Sequence, residues 1–191
     1  MKMTVLYVEA TGHVVAAATR VAMAEFPAPD PASDDPAPEV AALVRDALPM
    51  RAFVAGVNGA AVVSIPAKDL AALAMDVNDD PLLAPGRYRV DDAGALQLLP
   101  GDAPPVPARN ADGSVVTVML PSAATAEVPI QLHLMPSAAA AREAQHLHGV
   151  FEPGTPTAQT IRFSVRTPLI GDWFVLVLVQ GFRAALLELA P

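Results

Sequence analysis

Apolar and polar residues alternate with a period of two through much of the second half of this chain, and that period restricts it to strands. Ile161, Phe163 and Val165 stand against Thr160, Arg162, Ser164 and Arg166, while Val128, Ile130, Leu132 and Leu134 stand against Gln131 and His133. Successive side chains on a strand point to opposite faces, so both patterns predict antiparallel strands with one face buried and one open. Pro129 places the second of them at a sheet edge, because proline has no N–H to give the ladder. Residues 115–120 and 174–179 are apolar on both faces and are expected in central positions. With a further strand in 182–189, this makes five or six short strands in about 80 residues, the pattern of a β-sandwich.

The first half carries hairpin signals. Residues 4–9 and 13–18 are β-prone and flank Ala10-Thr11-Gly12, and residues 87–90 and 95–99 flank Asp91-Asp92-Ala93-Gly94. Asn58-Gly59, between residues 51–57 and 60–65, is the strongest such signal, since a type I′ turn needs positive φ at both central positions. Val40, Leu43, Val44, Ala47 and Leu48 fall at helical spacing before Pro49, which predicts one short helix at about 39–48. Residues 69–77 fit a helix or a strand. Residues 24–39 bring five acids, five prolines and no base, the composition of a solvated loop or linker. The Pro- and Gly-rich stretch 100–107 with Asn110-Ala111-Asp112-Gly113 is the clearest break. The expected organisation is therefore mainly β, with antiparallel β-sandwich-like domains and one or two short helices. Residues 1–104 form a β-rich domain containing the acidic loop and the short helix, and residues 105–191 form a β-sandwich-like domain.

Composition excludes several functions. The net charge is −8, thirteen of the 20 acidic residues precede Gly101, and the ten Arg and two Lys form no basic run, so nucleic acid and anionic membrane are poor partners. The absence of Cys removes disulfides, zinc–thiolate sites and thiol nucleophiles. Met1-Lys2-Met3 leads into only five β-prone residues before Glu9, too short for a secretory signal, and the most apolar stretch, 174–179, is too short to span a membrane. A cytoplasmic protein is expected, or one released within a particle.

Candidates for chemistry are few. No Gly-x-Gly-x-x-Gly or Gly-Lys-Ser/Thr loop is present, and Ser33, Ser64, Ser114, Ser122, Ser137 and Ser164 lack a nucleophile-elbow context. His146 and His148, with Glu143 and Glu152 nearby, are the one metal or acid–base cluster to weigh. On a strand the two histidines share a face and could hold one metal, whereas on a helix they diverge. Ser137 as N-cap, the Ala-rich stretch 138–144 and Gly149 as a stop favour the helix, and no metal site or cofactor is expected. Asp34-Asp35, Asp79-Asp80 and Asp91-Asp92 read as turns, with weak calcium binding as the competing role. Trp173, followed by Phe174 at the start of the most apolar strand, is either a core plug or an anchor for a partner.

By elimination, the sequence predicts a non-enzymatic structural or interaction protein, a subunit of a homo-oligomeric or heteromeric protein assembly such as a virus-like or phage-tail-like particle. The alternative is a small monomeric ligand- or calcium-binding module. The residues expected at an interface are Trp173 and Phe174.

Overall fold

The computed structural model describes residues 2–19, 44, 46–53, 60–76, 81, 84–101, 104–136 and 143–189. Among these the strands are β1 (Lys2–Val8), β2 (Val14–Thr19), β3 (Ala47–Phe53), β4 (Ala60–Pro66), β5 (Leu70–Asp76), β6 (Tyr88–Val90) and β7 (Leu96–Leu98). They continue with β8 (Val106–Arg109), β9 (Val115–Met119), β10 (Val128–Pro136), β11 (Gln145–Phe151), β12 (Thr160–Ser164), β13 (Trp173–Val179) and β14 (Ala185–Leu189). The protein is mainly β, and its named helical pieces are two 3-10 turns, Ala67–Asp69 and Pro85–Arg87. No helix of the described residues is long and apolar enough to cross a membrane. Two compact units divide the chain, residues 1–48 with 66–98 and residues 49–65 with 99–191.

In the first unit β1 lies between β2 and β5, antiparallel to both. The β1–β2 hairpin turns as its sequence predicts, with Gly12 at φ 74°. Its carbonyl accepts the Val90 N–H at 2.8 Å, and a Cβ here would run into the Val90 carbonyl, so glycine is required both by its positive φ and by this approach. Met3, Val5, Val14 and Val90 make the core of this unit, with Leu73, Tyr88 and Leu96 packed against them. Residues 70–76, ambiguous in sequence, are a strand because they pair with β1 along its full length, and tertiary pairing overrides weak local preference. The predicted hairpin across 91–94 is present as β6–β7, in register Arg89↔Gln97.

The helix expected at about 39–48 falls partly outside the described residues. Its last positions, Ala47 and Leu48, open strand β3 instead. β3 and β4 pair in a two-stranded sheet, as the hairpin reading requires, while the Asn58-Gly59 turn and the acidic stretch 24–39 lie outside the described residues.

The second unit contains a β-sandwich. One sheet runs β11-β10-β13-β14 and the other β12-β9-β8. Val116 and Val118 of β9 and Ile161 and Phe163 of β12 pack into one core with Ile130, Leu132 and Leu134 of β10, Val175, Val177 and Val179 of β13, and Trp173, Phe151, Leu169 and Leu189. Burying each such side chain is worth about 1.5–3 kcal/mol relative to leaving it exposed, so this interleaving of two apolar faces is the main stabilising feature of the unit. β9 and β13 are central in their sheets, as their two-sided apolar character predicts.

Two expectations are corrected here. β10 is not an edge strand with an open polar face, because it lies between β11 and β13 and its Gln131 and His133 are buried as deeply as its leucines. Pro129 is tolerated because the Pro129 carbonyl accepts the Gln180 N–H at 3.0 Å. In an antiparallel pair a residue's N–H and C=O point to the same neighbour, so the missing donor falls just past the end of β13, where a ladder bond is dispensable. The helix expected through 137–149 is also corrected over its described part, since Gln145–Phe151 is strand β11. Residues 145, 147, 149 and 151 share the core side of β10–β11, which rewards a period of two over the helical propensity of the preceding alanines. Gly149 is no helix stop, for a Cβ there would come within 2.9 Å of Phe163 and 2.8 Å of Ile161.

Candidate functional site

The β10–β11 register sets His133 opposite His146 and Gln131 opposite His148. Alternation directs these four side chains away from the sandwich core, because their neighbours Ile130, Leu132 and Leu134 occupy it. On its other side β10 pairs with β13, placing Leu178 beside Gln131 and Leu176 beside His133. The result is a polar square with an apolar flank on one face of a four-stranded sheet. Its β10 and β13 side is buried, with His133 0 % exposed, Gln131 2 % exposed and Leu176 and Leu178 buried, whereas on β11 His146 is half-buried and His148 exposed.

His133 Nδ1 lies 2.9 Å from His146 Nδ1, with the rings edge to face at 5.1 Å between centroids. Such a bond needs one ring to donate and the other to accept, so the two imidazoles must be neutral in opposite tautomers or share a single extra proton. The other nitrogen of His133, Nε2, is buried with no hydrogen-bond partner, and so is Gln131 Oε1. Burial pushes the His133 imidazole down to about 3, and the nearby His146 and then His148 add to the shift. An ordinary imidazole titrates near 6.5, so His133 is uncharged throughout the neutral range.

Such a group is a poor general acid or base at neutral pH, because catalytic pKa values lie near the working pH. Glu143 and Glu152, which the sequence sets beside these histidines, are exposed at the two ends of β11, and Glu152 offers its backbone carbonyl to the Thr155 hydroxyl at 2.7 Å. Among the described residues no three His, Asp or Glu side chains are grouped so as to hold a metal ion. The structure thus meets the geometric condition for His146 and His148 to share a face, and adds His133, which sequence reasoning left out of the cluster. The signal for it was present in the alternation of Gln131 and His133 along β10.

The remaining candidates are dispersed. Asp91 serves its turn: Oδ1 accepts the N–H groups of Ala95 at 2.8 Å and Ala93 at 3.0 Å, and Oδ2 accepts the Gln97 amide at 3.0 Å. The Ala95 N–H and then the Gln97 amide hold its carboxyl below the ordinary carboxylate value. Ser114 bonds within the β8–β9 turn, donating its N–H to Asp112 Oδ1 at 2.8 Å. Trp173 is 1 % exposed within the sandwich core, its indole N–H donating to the Ile170 carbonyl at 3.3 Å, and Phe174 is half-buried on the opposite face of β13. Asp34-Asp35 and Asp79-Asp80 lie outside the described residues.

No family model, no curated protein and no solved structure matches this chain.

A different kind of site lies on the outer face of β12-β9-β8. Val106 and Met119 are directly opposite each other there, 56 % and 50 % exposed, with Thr160 across Met119 on the far side. Ala108, Thr117 and Ser164 extend this face, and its charged member is Arg162 alone. On a chain of net charge −8, that is a sheet face without a carboxylate.

Proposed function

We propose that this protein is a non-catalytic structural or interaction subunit of a larger protein assembly, a virus-like or phage-tail-like particle being the concrete case. The observation that supports this reading is the exposed Val106–Met119 pair on an outer sheet face that carries no acidic residue. Apolar side chains opposite each other across two strands make a contact surface, whereas scattered single ones do not.

Solution mass measured by size-exclusion chromatography with light scattering, over a range of concentrations, tests the proposal. A defined multimer or polymer, lost in Met119→Asp, supports self-assembly through this face. A monomer at every concentration rejects self-assembly. A melting temperature that rises with added calcium would instead favour the monomeric ligand-binding alternative, because a ligand that binds only the folded state stabilises it.

A further inference from the structure

We propose that His133, His146 and His148 make the β10–β11 seam an acid-sensitive latch, closed while the buried imidazole of His133 is neutral and weakened when acid forces a proton onto it. Three observations carry the inference. The seam holds a direct Nδ1–Nδ1 bond of 2.9 Å between strands, His133 Nε2 is buried without a partner, and β11 is the edge strand of its sheet, paired there with β10 alone.

The bond tolerates one proton but not two. Half-buried His146 can take the first and still donate from Nδ1 to the bare Nδ1 of His133. A second proton, on His133, would set two N–H groups facing each other and place a cation where Nε2 has no acceptor. Among the described residues, the groups beside His133 in its own sheet supply no negative charge. From β11 they are His146 and His148; from β13 they are Leu176, Leu178 and Phe174; on β10 itself they are Gln131 and Met135. Among these described residues none is a carboxylate.

The sign follows from linkage. The folded-state value of His133 lies below the ordinary one near 6.5, so between these limits the unfolded chain binds the extra proton. The stability contributed by keeping this imidazole neutral is therefore fully present above pH 6.5 and is lost as pH falls towards 3. One proton taken up on unfolding raises the unfolding constant about fivefold from pH 6.5 to 5.5 and about tenfold over the next unit.

Urea unfolding of the full chain at pH 7.5, 6.5 and 5.5, followed by Trp173 fluorescence, reads this directly. The expected result is that the wild type loses stability between pH 6.5 and 5.5 and that the unfolding constant of His133→Leu, beside Leu176, rises about fivefold less over that step. Equal pH dependence in the two proteins would overturn the proposal. If His133→Leu does not fold, the imidazole proton resonances of the folded wild type decide. A His133 signal that stays in its neutral position down to pH 5 supports the latch, and one that titrates near pH 6.5 overturns it.

Discussion

Gly149 on β11 stands against the ring of Phe163 on β12, so close that a single added carbon would lie 2.9 Å from Cε1 and 2.8 Å from the Cδ1 of Ile161. The absent side chain is what lets the edge strand of one sheet close against the edge strand of the other. Gly149→Ala is expected to destabilise the protein by about 1–2 kcal/mol, since the Ile161 tip and the Phe163 ring must both shift, and Gly149→Val by about 3 kcal/mol, since its methyl groups push further into the same side chains. Denaturant midpoints measured at constant slope check this; an unchanged or higher midpoint for the valine variant would contradict it.

A stricter demand falls on Gly113. Its φ is 70°, its carbonyl accepts the Leu169 N–H at 2.8 Å, and a Cβ would meet the N, C and O atoms of Leu169 at 2.8–2.9 Å. Arg109 fastens the same loop by donating Nη1 hydrogens to the carbonyls of Leu169 and Gly171. Backbone cannot yield as a side-chain tip does, so Gly113→Ala should cost about 2–4 kcal/mol, more than Gly149→Ala. Thermal melts of the two variants side by side give the ranking.

Gln145 clamps the segment after β12. Its Nε2 donates to the Thr167 carbonyl at 2.9 Å, and its Oε1 accepts the N–H of Arg166 at 2.7 Å and of Thr167 at 3.3 Å. Gln145→Leu keeps the volume but leaves part-buried backbone groups without partners, and a loss of about 2–3 kcal/mol is expected. Gln145→Glu should be at least as costly at neutral pH, because a carboxylate cannot donate to Thr167 and must be buried charged. Chemical denaturation of both variants measures the difference.

Trp173 is the single tryptophan of the chain and lies wholly within the sandwich core. Native fluorescence should be blue-shifted and resistant to iodide, and should move red in one step with unfolding of the second unit. Trp173→Ala is expected to cost about 3–5 kcal/mol through the cavity it leaves. Strong iodide quenching of the native protein would contradict the placement.

On the outer face of β12-β9-β8 the expectation is the reverse. Val106→Asp and Met119→Asp change exposed residues and should shift stability by no more than about 0.5 kcal/mol. If this face joins subunits, the same variants reduce the solution mass. A large loss of stability with unchanged mass would assign the pair a structural role.

The class of fold, the period-two strands, the Asp91–Gly94 hairpin and the central positions of β9 and β13 could be read from the residues alone. Each of these is written in local order, in the alternation of side chains or in turn chemistry, and none needs a partner to be specified. The rest came from long-range pairing. Helix preferences differ by less than about 1 kcal/mol per residue for ordinary residues, so the alanines of 138–144 could not carry their preference into Gln145–Phe151 once Leu147 and Phe151 had a core to join. The same pairing turned Gly149 from an apparent helix stop into a packing requirement, and it covered Trp173 within its own sheets. It also made the histidine face: His133 and His146 lie 13 positions apart in the chain, and they meet because the register that seats Leu132 and Leu134 in the core leaves them opposite each other on the other side.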